Sequence, residues 1–138
     1  MKYPRSPYDK VGGMIYFPRM LDKIRLMQAG ELPEAYHANM GKGMDGRCAR
    51  YLRVDYSALA ERVKGGADDQ AVFDWCQTAG RGLSEDDITI WNGFVSKRGW
   101  KDEAAPVLQQ NKERDGLANR SDIETLFEYF EVDEKRKP

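Results

Sequence analysis

Apolar residues recur at three- and four-residue steps along most of this chain, and glycines or acidic caps interrupt them. Phe17, Met20, Leu21, Ile24 and Met27 predict a first helix that opens at Pro18 and stops at Gly30. A short helix over Met44–Leu52 turns Met44, Cys48, Tyr51 and Leu52 inward. Asp55 caps a third, with Tyr56, Leu59, Ala60 and Val63 on one side before Gly65-Gly66. Asp68 or Asp69 starts a fourth, with Ala71, Val72, Trp75, Cys76 and Ala79 as its stripe and Gly80 as its end.

Further on, Ser84-Glu85-Asp86-Asp87 resembles a capping box, with Asp87 in the position usually held by Glu or Gln. It leads into Ile88, Trp91, Phe94 and Val95 and ends at Gly99. Asp102 is read as the cap of a helix that carries Pro106 near its start, where a missing N–H costs nothing, and whose apolar face is thin (Val107, Leu108). Ser121–Glu124 is a second capping-box pattern, before Ile123, Leu126, Phe127 and Phe130. Gly13–Phe17 and Ile88–Ile90 are the strand candidates, and both fit helix or loop better. The pattern predicts an all-α fold: a compact bundle of about six or seven short helices. Residues 1–138 read as one domain, with a short arm over about 1–12 and a fraying tail over about 132–138.

Composition agrees with a globular chain: 41% hydrophobic and 33% charged residues over 138 positions. No apolar run nears the roughly 20 residues that span a bilayer, and MKYPRSPYDK has no apolar signal core, so a cytoplasmic, non-membrane protein is expected. Cys48 and Cys76 fall on apolar faces and read as reduced, buried thiols. One histidine and two distant cysteines give no zinc-ligand spacing, and nothing calls for a metal or cofactor.

Charge adds an asymmetry that the net value of −1 conceals. Residues 1–64 carry 12 Lys/Arg against 7 Asp/Glu, whereas residues 65–138 carry 10 against 16. The basic half suits an anionic ligand, and the asymmetry suits head-to-tail association. With an isoelectric point near 5.9 and no recognised reading motif, nucleic-acid binding is disfavoured.

Gly41-Lys42-Gly43-Met44-Asp45-Gly46 satisfies G-x-G-x-x-G, but LPEAYHANM before it holds no β-branched run, so it is no dinucleotide fingerprint. It also lacks the G-K-[ST] ending of a Walker loop. What it offers is a glycine-rich turn into a helix N-terminus beside Lys42 and Arg47. Arg47, Arg50 and Arg53 recur every third residue opposite Cys48 and suit bidentate contacts to phosphate or carboxylate; the competing reading is a solvated face paired with acids. On the first helix, Arg19, Asp22 and Lys23 share a face with ion-pair spacing, and an exposed charged face is the ordinary reading there as well. His37, the one imidazole, follows Tyr36 in a Pro-containing loop.

FPRMLDKIRLMQAG, AYH and MDGRCARYLRVD, with DWCQTAG and SEDDITIWNGF beyond them, resemble an uncharacterised bacterial family, a domain of unknown function, along most of the chain. The specific part is PRMLDK, then AG, then YH, carried by Pro18, Arg19, Met20, Leu21, Asp22, Lys23, Ala29, Gly30, Tyr36 and His37. This resemblance implies a small stand-alone domain without an established activity, and it singles out Arg19, Asp22, Lys23 and His37 as a shared polar cluster.

Three functional readings follow. The first is a module for an anionic small molecule or an acidic peptide, with Arg19, Lys23, Tyr36, His37, Lys42, Arg47 and Arg50 as binding residues. The second is an enzyme with His37 as general base, Asp22 orienting it and Lys23 stabilising a developing anion. The third is a protein–protein adaptor or homodimer.

Overall fold

In the computed structural model, which describes residues 1–138, the chain is mostly helical. Seven α-helices run in order: α1 (Phe17–Gln28), α2 (Gly43–Leu52), α3 (Tyr56–Lys64), α4 (Asp69–Ala79), α5 (Glu85–Ser96), α6 (Ala105–Arg114) and α7 (Leu126–Asp133). A 3-10 helix covers Glu34–Asn39. The sole sheet is a two-residue antiparallel ribbon, β1 (Lys10–Val11) with β2 (Met14–Ile15), joined by Gly12-Gly13. The Gly13–Phe17 stretch thus does contain a strand. Gly12 and Gly13 hold φ of 59° and 82°, and a Cβ on Gly12 would fall 2.3 Å from the Phe73 ring.

Packing divides the chain into two compact units, Met1–Thr89 and Ile90–Pro138. In the first, α3 touches α1, α2 and α4, and the core is Phe17, Met20, Leu21 and Ile24 with Cys48, Leu52, Leu59, Val63, Val72 and Cys76. Phe73, outside the anticipated α4 stripe, is buried edge-on against Phe17, while Ala71 and Ala79 face solvent. Asp55 and Asp68 cap α3 and α4 through the amides of Ala58 and Ala71. The box before α5 is reciprocal: the Asp87 amide donates to Ser84 Oγ, and the Ser84 amide donates to Asp87 Oδ2.

In the second unit, Leu108, Ile123 and Tyr129 form a buried cluster joined by Leu117, Leu126, Phe130 and Val132. Four details differ from the sequence reading. Asp102 closes the turn before α6 by accepting from the amides of Gly99 and Ala104, so Ala104 is the residue flanking that helix. The operative box of α7 is Thr125–Glu128, not Ser121–Glu124. Lys112 Nζ donates to the carbonyls of Arg120 (2.7 Å) and Ile123 (3.0 Å) and holds that stretch as a turn until Thr125 caps the helix. Phe94, expected in the core, is exposed with the Arg98 guanidinium over its ring, whereas Trp91 and Phe127 are buried. The end of the chain is tied down: Arg136 Nη1 meets Glu131 at 2.9 Å and the buried Glu134 at 2.7 Å.

Candidate functional site

The stretch that carries most of the polar residues singled out above folds around one buried carboxylate. Asp45, in the first turn of α2, has no exposed surface. Its Oδ1 accepts from Tyr16 Oη at 2.6 Å, and its Oδ2 accepts from Lys23 Nζ at 2.9 Å and from the Gly41 amide at 3.1 Å. Lys23 is itself buried, with 8% of its side chain exposed. A buried ion pair is tolerated only where further hydrogen bonds saturate it, and here the carboxylate receives three.

The local backbone is shaped to make this closure. Gly41 has φ of 73°, and a Cβ there would lie 2.7 Å from the Tyr56 ring. Tyr16 also adopts positive φ (71°), a conformation costly for a tyrosine, directly before α1. Its hydroxyl bond to Asp45 helps to hold it there. Burial, reinforced by the Asp45 charge, pushes the Tyr16 phenol and the Cys48 thiol well above their ordinary pKa values; the half-buried Tyr56 phenol is raised by the same two causes. This centre therefore keeps a protonated phenol and thiol around one anion that is already satisfied. Its geometry is that of a clamp joining α1, the Gly41-Lys42 turn and α2.

The other signature residues are also engaged. Asp22 Oδ2 accepts from the Arg5 amide at 2.9 Å, and Arg19, buried, donates from Nη1 to the Arg5 carbonyl at 3.0 Å. His37 lies on the 3-10 helix, and its Nε2 is 3.0 Å from the Leu32 carbonyl. Because a carbonyl only accepts, Nε2 carries the proton and Nδ1 is left as the second ring nitrogen. Asp22 and His37 thus have different partners and form no dyad, and Lys23 belongs to Asp45. Tyr36 is half-buried beside His37.

Lys42, Arg47 and Arg50 remain on the exposed side of α2. Lys42 precedes the first helical residue, and no side chain caps that N-terminus. Arg50 runs back along the helix: its Nη1 would lie 3.1 Å from a Cβ on Gly46, so the glycine leaves it room. Arg53 closes α2 in the left-handed conformation, near enough to Asp87 to help depress its carboxylate after the Ser84 hydrogen bonds and Arg81. Asp45 is not among the site residues that the sequence singles out. A signal for it existed, since it lies three and seven residues before the inward-facing Cys48 and Leu52.

A cavity of about 430 Å³ lies elsewhere, lined by Arg25, Gly66, Ala67, Asp68, Asp69 and Gln70. There Arg25 already binds Asp69 and the Ala67 carbonyl. No helix in the chain is long and apolar enough to cross a membrane.

No curated protein matches this sequence. The buried clamp and the arginine–aspartate pair on α1 account for the PRMLDK stretch in structural terms, and a family model spans them and nearly everything else. It matches residues 1–136, and the chain belongs to that family, the domain of unknown function DUF5069.

Proposed function

We propose that this is a binding domain for an anionic partner, an anionic small molecule or an acidic peptide, engaged by the exposed face of α2. One observation carries the reading. The only acidic residue of α2 is Asp45, and it is turned inward onto Lys23, so the outer side of the helix bears cations alone. Lys42 and Arg50 make no ion pair within the chain, and Arg47 stands on the same exposed side. Guanidinium groups beside an uncapped helix N-terminus favour carboxylate or phosphate oxygens. His37, with Nδ1 free of intramolecular partners, and Tyr36 supply hydrogen bonds from the neighbouring 3-10 helix. In this reading Lys23 supports the site through Asp45, and neither Lys23 nor Arg19 touches the ligand.

The setting that fits is the bacterial cytoplasm, where Cys48 and Cys76 stay free as they are here. The test is a thermal-shift titration with inorganic pyrophosphate and with a hexaglutamate peptide, on wild type and on a Lys42→Ala/Arg50→Ala variant. A ligand at about 100 times its Kd adds about 2.7 kcal/mol to stability, readily seen as a rise in Tm. A rise in wild type that is lost in the variant supports the reading. Equal rises in both place any anion site elsewhere and overturn it.

A further inference from the structure

Residues 4–7, Pro-Arg-Ser-Pro, rest in a seat built by α1 and the start of α4. The Arg5 amide and carbonyl are both taken by side chains, those of Asp22 and Arg19. These stand three residues apart on one face of α1, so the helix gives a single residue both an acceptor and a donor. A partner residue in a β-ladder makes the same exchange. The Arg5 guanidinium then reaches Asp69, the first residue of α4, at 2.8 Å, while Arg25 holds the other Asp69 oxygen at 2.6 Å. Pro4 and Pro7 are buried on either side, and their fixed φ lowers the entropy lost in ordering an extended segment. Main-chain bonds for affinity with one side-chain contact for selectivity is how extended peptides are recognised.

We propose that this is a peptide-binding seat for an extended segment with an arginine between two prolines, and that the arm of a second copy of this chain is its partner. The arm's seat contacts come from residues upstream of the Gly12-Gly13 turn, including the Lys2 amide on the Glu31 carbonyl and the Pro7 carbonyl under the Tyr16 amide. Exchange up to that two-glycine turn remakes each contact between copies and requires no new surface. Within one molecule the tether favours the chain's own arm, so exchange emerges when that arm is disabled. The seat lies on α1 and α4 and stands or falls independently of the α2 face.

The test mixes two full-length variants. Arg5→Glu disables the arm and leaves the seat; Asp69→Lys disables the seat and leaves the arm. Light scattering on the mixture, at about 0.5 mM to approach tethered effective concentrations, is expected to show twice the 15.8 kDa chain mass, with each variant alone at the single mass. A mixture that stays at the single mass, or Arg5→Glu dimerising alone, overturns the proposal. Should either variant lose its helical circular dichroism, a labelled peptide of residues 1–9 titrated into full-length Arg5→Ala decides. Saturable anisotropy, weakened about ten-fold or more when alanine replaces the peptide's arginine, supports the seat. No saturable binding overturns it.

Discussion

Replacing Asp45 by alanine removes the acceptor of three hydrogen bonds and strands Lys23, whose side chain is 8% exposed, without a counter-charge. Breaking a buried pair from one side costs about 3–5 kcal/mol, most of it the desolvation of the charge left behind. Two further effects add in the same direction: the Tyr16 hydroxyl loses its acceptor, and the Gly41 amide loses the bond that folds the loop onto α2. With about 2 cal/mol/K of unfolding entropy per residue, a chain of this length drops about 3 °C in Tm per kcal/mol, so the expected fall is about 10–15 °C. Urea denaturation of wild type, Asp45→Ala, Lys23→Met and the double variant measures it directly. The double variant removes both charges, so it is expected to be more stable than the sum of the single losses predicts, by about 2 kcal/mol or more. A loss below about 1 kcal/mol for Asp45→Ala, with additive singles, would mean that the pair is solvated and that the clamp is not what joins α1 to α2.

Other outcomes follow from separate parts of the molecule. Arg53 ends α2 at φ 57° and ψ 42°, so Arg53→Gly is expected to stabilise the protein by about 0.5–1 kcal/mol, read as a small rise in Tm; a fall would contradict the strain argument. The Asp115 carboxylate is held below its usual range by Arg114 and by the Tyr129 hydroxyl. Its stabilising effect is therefore complete above the unfolded carboxylate pKa and disappears as pH falls through the lower folded value. Acid titration of Asp115→Asn should accordingly show a shallower loss of stability below about pH 4, and an unchanged acid limb would refute it. Burial raises the Cys76 thiol to about 12 and also pushes the Cys48 thiol well above its ordinary value, so neither should react with a thiol reagent at pH 8 until urea unfolds the chain.

The helices were legible because their signals are local. Asp55, Asp68 and Ser84 each cap the helix that follows; α1 buries Phe17, Met20, Leu21 and Ile24 of its stripe but leaves Met27 exposed at its end, and α3 buries Leu59, Ala60 and Val63. Sequence pattern and structure part where a tertiary partner decides. Ser121–Glu124 and Thr125–Glu128 are equivalent patterns by sequence, and only Lys112, reaching over from α6, selects the second. Phe73 and Trp75 compete for the inner side of α4, and contact with Phe17 places Phe73 there. For the site, sequence marked Arg19, Asp22 and Lys23 without their partners: the Arg5 backbone and Asp45 lie 14 to 22 positions away. Such pairings leave no periodic trace. A charge on an inward face is the one available hint, and Asp45 shows it.

The exposed basic face of α2 is the surface proposed to receive an anionic ligand. The most direct measurement is a ¹H–¹⁵N NMR titration of the full chain with pyrophosphate and with hexaglutamate. At least one probe is expected to move, saturably, the amides of residues 42–50 and the Arg50 side-chain signals, while residues at the Arg5–Asp69 seat stay still. Saturable shifts confined to any other surface, or none with either probe, would contradict it.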